Sequence, residues 1–457
     1  MEEVLALGHS LKTTNSSGPD DINPSLIKPL LSLIAKPLAD IINCSLRTGI
    51  VPSPLKIAKV TPIFKQGNKD YVANYRIISI LPYFSKLFEK VMYVRLYEYI
   101  NKKGILCPFQ HGFQPGHSTL MSLLNMQDSI SAAIDRNEYS LGIFIDIAKA
   151  FDTVDHDILL IKLENLGIRG IALDWFKSYL THRYQQVKCN GFISPLRLLK
   201  YGVPQGSILG PILFLIFIND LPNVSFVLQF LLFADDTNIF ASHKSYENLF
   251  EIVNRELEHV SDWFRSNKLS LNVTRTNYIL FSSHRKQIPK IQGTLYLNNI
   301  PIPKVITTKF LGVQIDQHLT WNDHIRYIST KMAKNLGIMA RVMHLLPPSI
   351  RISLYYTMIN PYLSYCNIIW ASNYPSRLKH LSILQKRALR MINGSHFLAS
   401  SQPIYKELGI LTIEQLTNYQ TLEFMYKYTH SQLPPVFNNY FSSLSVINPY
   451  NVRSSAN

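Results

Sequence analysis

Two adjacent carboxylates, Asp235 and Asp236, interrupt an apolar run from Phe230 to Phe240, and a third, Asp146, interrupts Gly142-Ile143-Phe144-Ile145-Asp146-Ile147. A carboxylate set among aliphatic side chains is costly unless a cation or hydrogen-bond donors compensate it. Three brought together repel one another, and a pair of divalent cations is their natural compensation. The pattern fits two-metal phosphoryl transfer, with Asp146, Asp235 and Asp236 serving as catalytic groups and metal ligands. Two Mg²⁺ ions about 4 Å apart would activate an attacking 3′-hydroxyl and stabilise a leaving pyrophosphate. Mg²⁺ favours carboxylate and phosphate oxygens, which suits a chain with no His/Cys cluster, and Mn²⁺ could substitute. The plainer reading makes Asp235 and Asp236 hairpin-turn residues and Asp146 a strand-end cap.

The neighbouring residues tilt the balance toward chemistry. Phe151 stands five residues after Asp146, where an aromatic ring could lie against a nucleotide sugar and exclude a 2′-hydroxyl. A core aromatic opening a helix is the alternative. Pro204-Gln205-Gly206-Ser207 offers a polar amide and close backbone approach at a helix start, which suits a nucleotide and its phosphates. A plain loop with Ser207 as helix cap is the alternative there.

To hold these groups together, the chain must bring distant segments to one place. Asp146 is expected at the end of a strand over 141–147, and Asp235-Asp236 at the turn of a hairpin formed by 226–234 and 237–242. If those strands are neighbours, the carboxylates converge on one edge of a sheet. Lys56, Lys59, Lys65, Lys69 and Arg76 surround Val60-Thr61-Pro62-Ile63-Phe64, which reads as a basic hairpin turning at Gln66-Gly67-Asn68. Helical spacing marks 82–100, 155–166, 171–181 and 246–266, and an apolar helix occupies 208–218. Further strands are expected at 184–189, 278–282 and 310–315. The pattern after Trp321 is helical, with Arg326, Lys331, Lys334, Arg341, Lys379, Lys386, Arg387 and Arg390 forming a basic face. Mixed strands and helices around one sheet give an α+β core.

Composition narrows the partners. The chain has 457 residues, of which 47% are hydrophobic and 17% charged, so it is a folded protein of several units. Its 46 Lys and Arg exceed its 30 Asp and Glu, a net charge of +16 that suits a polyanion, nucleic acid first. The four cysteines are scattered without paired spacing, which points away from a zinc module and a disulfide-stapled fold and toward a reducing compartment. No signal peptide is evident, and the most apolar stretch, 208–218, is too short to span a bilayer.

An ordered series of motifs makes the chain resemble the reverse transcriptases of non-LTR retrotransposons (LINE elements), with a jockey-like character. The series runs through Ser17-Gly18-Pro19-Asp20, Lys59 to Lys65, Asn74-Tyr75-Arg76, Gly112-Phe113 with Gly116-His117-Ser118-Thr119, and Phe144 to Asp152. It continues through Gly202 to Ser207, Leu209-Gly210-Pro211, Phe233-Ala234-Asp235-Asp236, Asn267 to Asn272, and Phe310-Leu311-Gly312-Val313. The resemblance spans about residues 15–400.

It implies a right-hand polymerase architecture with fingers, a palm carrying an antiparallel sheet, and a helical thumb. The expected divisions are N-terminal extension and fingers at 1–140, palm with inserted fingers helices at 141–318, thumb at 319–400, and a C-terminal extension with a polar tail at 401–457. It further implies RNA-directed DNA polymerase activity on an RNA template with a DNA primer or nicked target DNA and dNTPs. By that resemblance Lys65 and Arg76 grip the triphosphate, Phe151 is the steric gate, and Gln205 with Gly206 belongs to the nucleotide pocket. Phe310, Leu311 and Gly312 form the primer grip, and the thumb cations track the template–primer backbone.

Some positions depart from the family pattern. Ile77 replaces a proline, Gln114 an arginine and Arg275 a lysine. Arginine, always charged near neutrality, is a poor proton donor but a good electrostatic stabiliser, so a slower enzyme is expected. No nuclease signature precedes residue 60 and no Cys/His knuckle closes the chain, so a polymerase without its endonuclease domain is expected. The rival reading is a weak or inactive RNA-binding remnant of such an element. Maturase-like and telomerase-like polymerases would carry extra regions not seen here. An intracellular site is expected, with the nucleus and a cytoplasmic ribonucleoprotein both open.

Overall fold

The computed structural model describes residues 1–65, 67–289, 293–438, 440 and 441. A four-stranded antiparallel sheet, in the order Gln229–Phe233, Asp236–His243, Tyr139–Ile145, Asn277–Phe281, carries the three aspartates at one end. Strand side chains alternate between faces, so both faces of this sheet can be covered. Leu141, Ile143, Ile145, Ile239, Tyr278 and Leu280 pack with the helices Leu209–Ile218 and Tyr246–Ser266 on one side. Phe144, Leu231, Phe240, Ile279 and Phe281 face the helix Thr119–Asp135 and the hairpin around Phe310 on the other. Every residue of Leu209–Ile218 except Pro211 is buried, which accounts for its unbroken apolar run. Among the described residues no helix is long and apolar enough to cross a membrane.

A second sheet forms the basic hairpin region. Ile57–Phe64 pairs antiparallel with Tyr75–Ile80 and parallel with Arg183–Cys189, a strand far away in sequence. Beyond the central sheet come the helices Asn322–Val342, Pro348–Met358 and Pro375–Asn393, joined through buried Met332, Leu336, Tyr355, Leu381 and Leu389. Ile404, Tyr405 and Ile413, from the helices Ser401–Leu408 and Ile413–Thr429, enter the same core. The α+β architecture with an antiparallel palm sheet and a helical thumb is thus present.

Several elements differ from expectation. The strand Tyr139–Ile145 stops one residue before Asp146, and Gln229–Phe233 starts after Phe226, which is fully exposed. The segment 310–315 is two short strands, Thr307–Phe310 and Val313–Asp316, joined at Leu311-Gly312, because both turn residues adopt positive φ (43° and 85°). The proline-punctuated N-terminal segment contains a 25-residue helix, Pro24–Thr48. Pro29 and Pro37 both lie on its exposed side, while Leu31, Ala35, Leu38 and Ile42 are buried, so the carbonyls that lose a helical partner are on the solvent face. Asn23 caps its start and left-handed Gly49 ends it. The expected turn includes Gln66 and the expected polar tail begins at Ser442; both residues lie outside the described residues.

Candidate active site

Strand register assembles the carboxylates. Ile145 pairs with Thr237, so the next residues, Asp146 and Asp236, meet at the end of two central strands. Phe233 pairs with Asp236 and leaves Ala234-Asp235 as a two-residue turn, in which Ala234 is left-handed at φ 56°. Asp146 is fixed from a third segment. The Asn272 N–H donates to its carbonyl at 2.8 Å, the Asn272 side-chain amide donates to its Oδ2 at 2.9 Å, and its own N–H donates to Thr276 Oγ1 at 3.3 Å. Asn272 stood in a recognised motif without an assigned role; its position beside Asp146 becomes visible only through the pairing of Ile147 with Leu271.

The acids are less buried than their apolar neighbours implied. Asp235 and Asp236 are exposed and Asp146 is half-buried, because all three stand where the strands end. The carboxyl of Asp236 is pushed up to about 6, first by the protein surrounding it and then by the negative charges of Asp235 and Asp146, with Lys65 opposing. Asp235 is also raised, by partial desolvation first and by Asp146, while Arg76 and Lys65 pull it down. Both side chains reach solvent, so the direction of these shifts carries the argument and their energy is softened by water.

The cations come from the fingers hairpin. Arg76 pairs with Ile63, and the Lys65 N–H donates to the Asn74 carbonyl at 2.9 Å, and both exposed side chains lie near enough for their charge to oppose the rise at Asp235. Phe151 is half-buried, stacked on Phe214 at 4.6 Å with its edge contact to Phe113 at 6.2 Å. Its carbonyl accepts the Val203 N–H at 2.8 Å, tying it to the Pro204-Gln205-Gly206 loop. The Gln205 side-chain amide donates to Asp152 at 3.1 Å, and the Gln205 carbonyl accepts the Ser79 N–H at 2.8 Å. Gly206 has φ 123°, and a Cβ there would press into the Ser79 carbonyl oxygen. The loop is therefore stitched to the fingers strand through backbone that only glycine allows.

The remaining candidates lie across the sheet. Phe310 is buried and packs on Phe144 at 5.9 Å, two residues before Asp146. The Tyr365 hydroxyl, from the thumb, donates to the Leu311 carbonyl at 2.7 Å and so braces the Leu311-Gly312 turn. Of the unusual residues, the Gln114 amide donates to the Gln110 carbonyl at 2.5 Å, and Arg275 is exposed just after Asn272.

The donor chemistry fits divalent cations. Carboxylate oxygens that repel one another, with raised proton affinity, are the ligands Mg²⁺ prefers. Among the described residues no three His, Cys, Asp or Glu side chains, these aspartates included, are gathered into a group that could by itself hold a metal ion. Mg²⁺ would need waters and substrate phosphates to complete its ligand set. A carboxyl whose folded pKa is raised favours the fold while protonated, and that contribution is lost as pH rises from about 4 through about 6. Bound cations reverse the penalty. Mg²⁺ is therefore expected to raise the melting temperature by about a few degrees near pH 7.5 and by much less near pH 5. Equal shifts at both pH values in a thermal-melt titration would remove these acids as the cation site.

A family model described as reverse transcriptase (RNA-dependent DNA polymerase) matches residues 63–315, which holds the central sheet and all three aspartates. The chain belongs to this family. The chain is 29% identical over 382 residues to a probable RNA-directed DNA polymerase from transposon X-element of Drosophila melanogaster, covering 82% of this chain and 41% of that one. It is 28% identical over 422 residues to the RNA-directed DNA polymerase from mobile element jockey of the same species, covering 90% and 45%. The chain thus spans less than half the length of these relatives. A telomerase from Candida albicans in complex with a fragment of telomeric RNA aligns at a TM-score of 0.45 and 13% identity, over 78% of this chain and 66% of that one.

Proposed function

We propose that the chain extends a DNA 3′ end on an RNA template, as the polymerase of a non-LTR retrotransposon. The observation that carries this reading is the strand register that sets Asp146 beside Asp236 and Asp235, under the charge of Lys65 and Arg76.

Asp146, Asp235 and Asp236 would hold two Mg²⁺ ions. When bound, such ions favour deprotonation of the attacking 3′-hydroxyl and neutralise charge on the departing pyrophosphate. Lys65 and Arg76 bind the triphosphate as a rigid cationic pair, since both project from one hydrogen-bonded hairpin. Gln205, oriented by Asp152, and the exposed Gly206 receive the nucleotide. Phe151, fixed by Phe214, closes the sugar side against a 2′-hydroxyl. Phe310, Leu311 and Gly312 hold the primer end. Arg326 and Lys334, which with His380 line a cleft of 730 Å³ between thumb helices, join the other thumb cations in following the phosphate backbone without reading sequence. Fingers at 1–140, palm at 141–318, thumb at 319–400 and an extension at 401–457 divide these tasks. Copying at a chromosomal target would place the work in the nucleus.

The test is primer extension by purified protein on an RNA template with a labelled DNA primer, dNTPs and Mg²⁺. Extension is expected; RNA binding without extension would favour the remnant. Phe151→Ala is expected to raise ribonucleotide use relative to deoxynucleotide use by about tenfold or more, because the pocket loses its steric wall. An unchanged ratio in single-nucleotide competition would take Phe151 out of the sugar pocket.

A further inference from the structure

The segment Phe109-Gln110-His111 lies along the outer edge of the central sheet, beside the strand that leads into the aspartate turn. The Leu232 N–H donates to the Phe109 carbonyl at 2.9 Å and the His111 N–H to the Leu232 carbonyl at 2.8 Å, a short parallel bridge around Gln110. This bridge carries the Gln110 side chain over the turn. Its Oε1 accepts two backbone N–H groups, from Gly112 at 2.8 Å and from Ala234 at 3.0 Å. Gln110 is 1% exposed, and its Nε2 is buried with no partner among the described residues.

Three features make this more than edge packing. Ala234 is a non-glycine residue in the left-handed region, immediately before Asp235, so its conformation has to be held from outside. Its N–H points away from the sheet ladder and has Gln110 as its acceptor. The two backbones also approach so closely that a Cβ at Gly112 would press into the Ala234 nitrogen, which confines the contact to a glycine and a turn in one geometry. A buried donor left unpaired on the same amide is a cost that packing alone would remove by substituting an apolar side chain.

We infer that Gln110 is a positioning residue for the aspartate turn: its Oε1 holds the Ala234 N–H, and so sets the direction in which Asp235 presents its carboxylate. The inference rests on the proposed polymerase reading. Gln110 is buried and acts through Ala234. The nucleotide grip from Lys65, Arg76 and Gln205 comes from other segments, so it is untouched.

Gln110→Met keeps the length and removes the acceptor, whereas Gln110→Glu keeps an acceptor oxygen. On an RNA template with a DNA primer, Gln110→Met is expected to lower kcat by about 10- to 100-fold with KM for dNTP and RNA affinity within about twofold, and to raise the half-saturating Mg²⁺ several-fold. Gln110→Glu is expected to stand at least about tenfold above Gln110→Met. A folded Gln110→Met with parental kcat, or equal losses in both variants with an unchanged Mg²⁺ requirement, would overturn the inference. Amide exchange in the parent protein decides the case even if Gln110→Met fails to fold. The Ala234 N–H is expected to be protected at least about a hundredfold over an open loop amide, and free exchange there would overturn the brace. A parent chain that shows this protection yet does not extend primers would fail the polymerase reading and leave the brace standing.

Discussion

Asp235→Asn is expected to lower primer extension by about a thousandfold or more while leaving RNA affinity intact and the metal-free melting temperature equal or higher. The two halves of this result have one cause. Asparagine matches aspartate in size, so the Ala234 turn and the pairing of Phe233 with Asp236 have no reason to move. What disappears is charge. In the parent, Asp235 and Asp236 both have raised proton affinity, partly because each faces another carboxylate. Removing one charge relieves that repulsion and stabilises the metal-free fold, with the relief greatest above about pH 6, where Asp236 is ionised. The same change removes a ligand for divalent cations, which is where activity resides under the two-metal reading. Asp146→Asn should behave alike in activity, while keeping an oxygen to accept the Asn272 amide. Primer extension, filter binding and thermal melts on the same preparations measure all three quantities. Retention of more than about a tenth of parental activity by Asp235→Asn would exclude that carboxylate as an obligatory cation ligand.

The aspartates were legible in the sequence because their types and flanks carry information locally. An acid in an apolar run often marks a strand end or a hairpin turn, and Asp146 directly follows the strand Tyr139–Ile145 while Asp235 sits in the turn after Phe233. Their exposure was not legible. Apolar flanks at 141–147 and 230–240 suggested burial, yet a strand that stops at Ile145 leaves its next side chain at the rim. Register was only conditionally legible, since the convergence of the carboxylates depended on Tyr139–Ile145 and Asp236–His243 being neighbours. The parallel pairing of Ile57–Phe64 with Arg183–Cys189 joins segments more than a hundred residues apart, and no local pattern announces it. Local pattern alone makes 310–315 one strand, because the arms of the hairpin at Leu311-Gly312 are only four residues each; the turn was legible only through the family resemblance. Gln110 carried no chemical signal of its own. It is a neutral amide whose role consists of two backbone bonds formed in the folded chain.

Gly206→Ala carries the second large effect, expected as about a hundredfold loss in kcat/KM for dNTP, with most of it in KM. The methyl group has nowhere to go. At φ 123° an L side chain is strained by about 1–3 kcal/mol, and the new Cβ also presses into the Ser79 carbonyl oxygen. The loop relieves both by swinging away from the strand Tyr75–Ile80. That breaks the bond from the Ser79 N–H to the Gln205 carbonyl, a direct backbone tie between this loop and the fingers hairpin carrying Lys65 and Arg76. The Gln205 amide then loses its register with Asp152. Ser207→Ala provides the contrast. The Ser207 hydroxyl accepts the Gly210 N–H at 2.9 Å and donates to the Pro204 carbonyl at 2.8 Å, so its loss costs stability of about 1–2 kcal/mol while the Ser79–Gln205 backbone bond still holds the loop on its strand. A melt shift without a KM change is expected there. If Gly206→Ala instead gave a lower melting temperature with parental KM, the Gln205-Gly206 backbone would be part of the scaffold and not of the nucleotide pocket. The split between KM and melting temperature therefore separates a glycine kept for substrate access from one kept for packing.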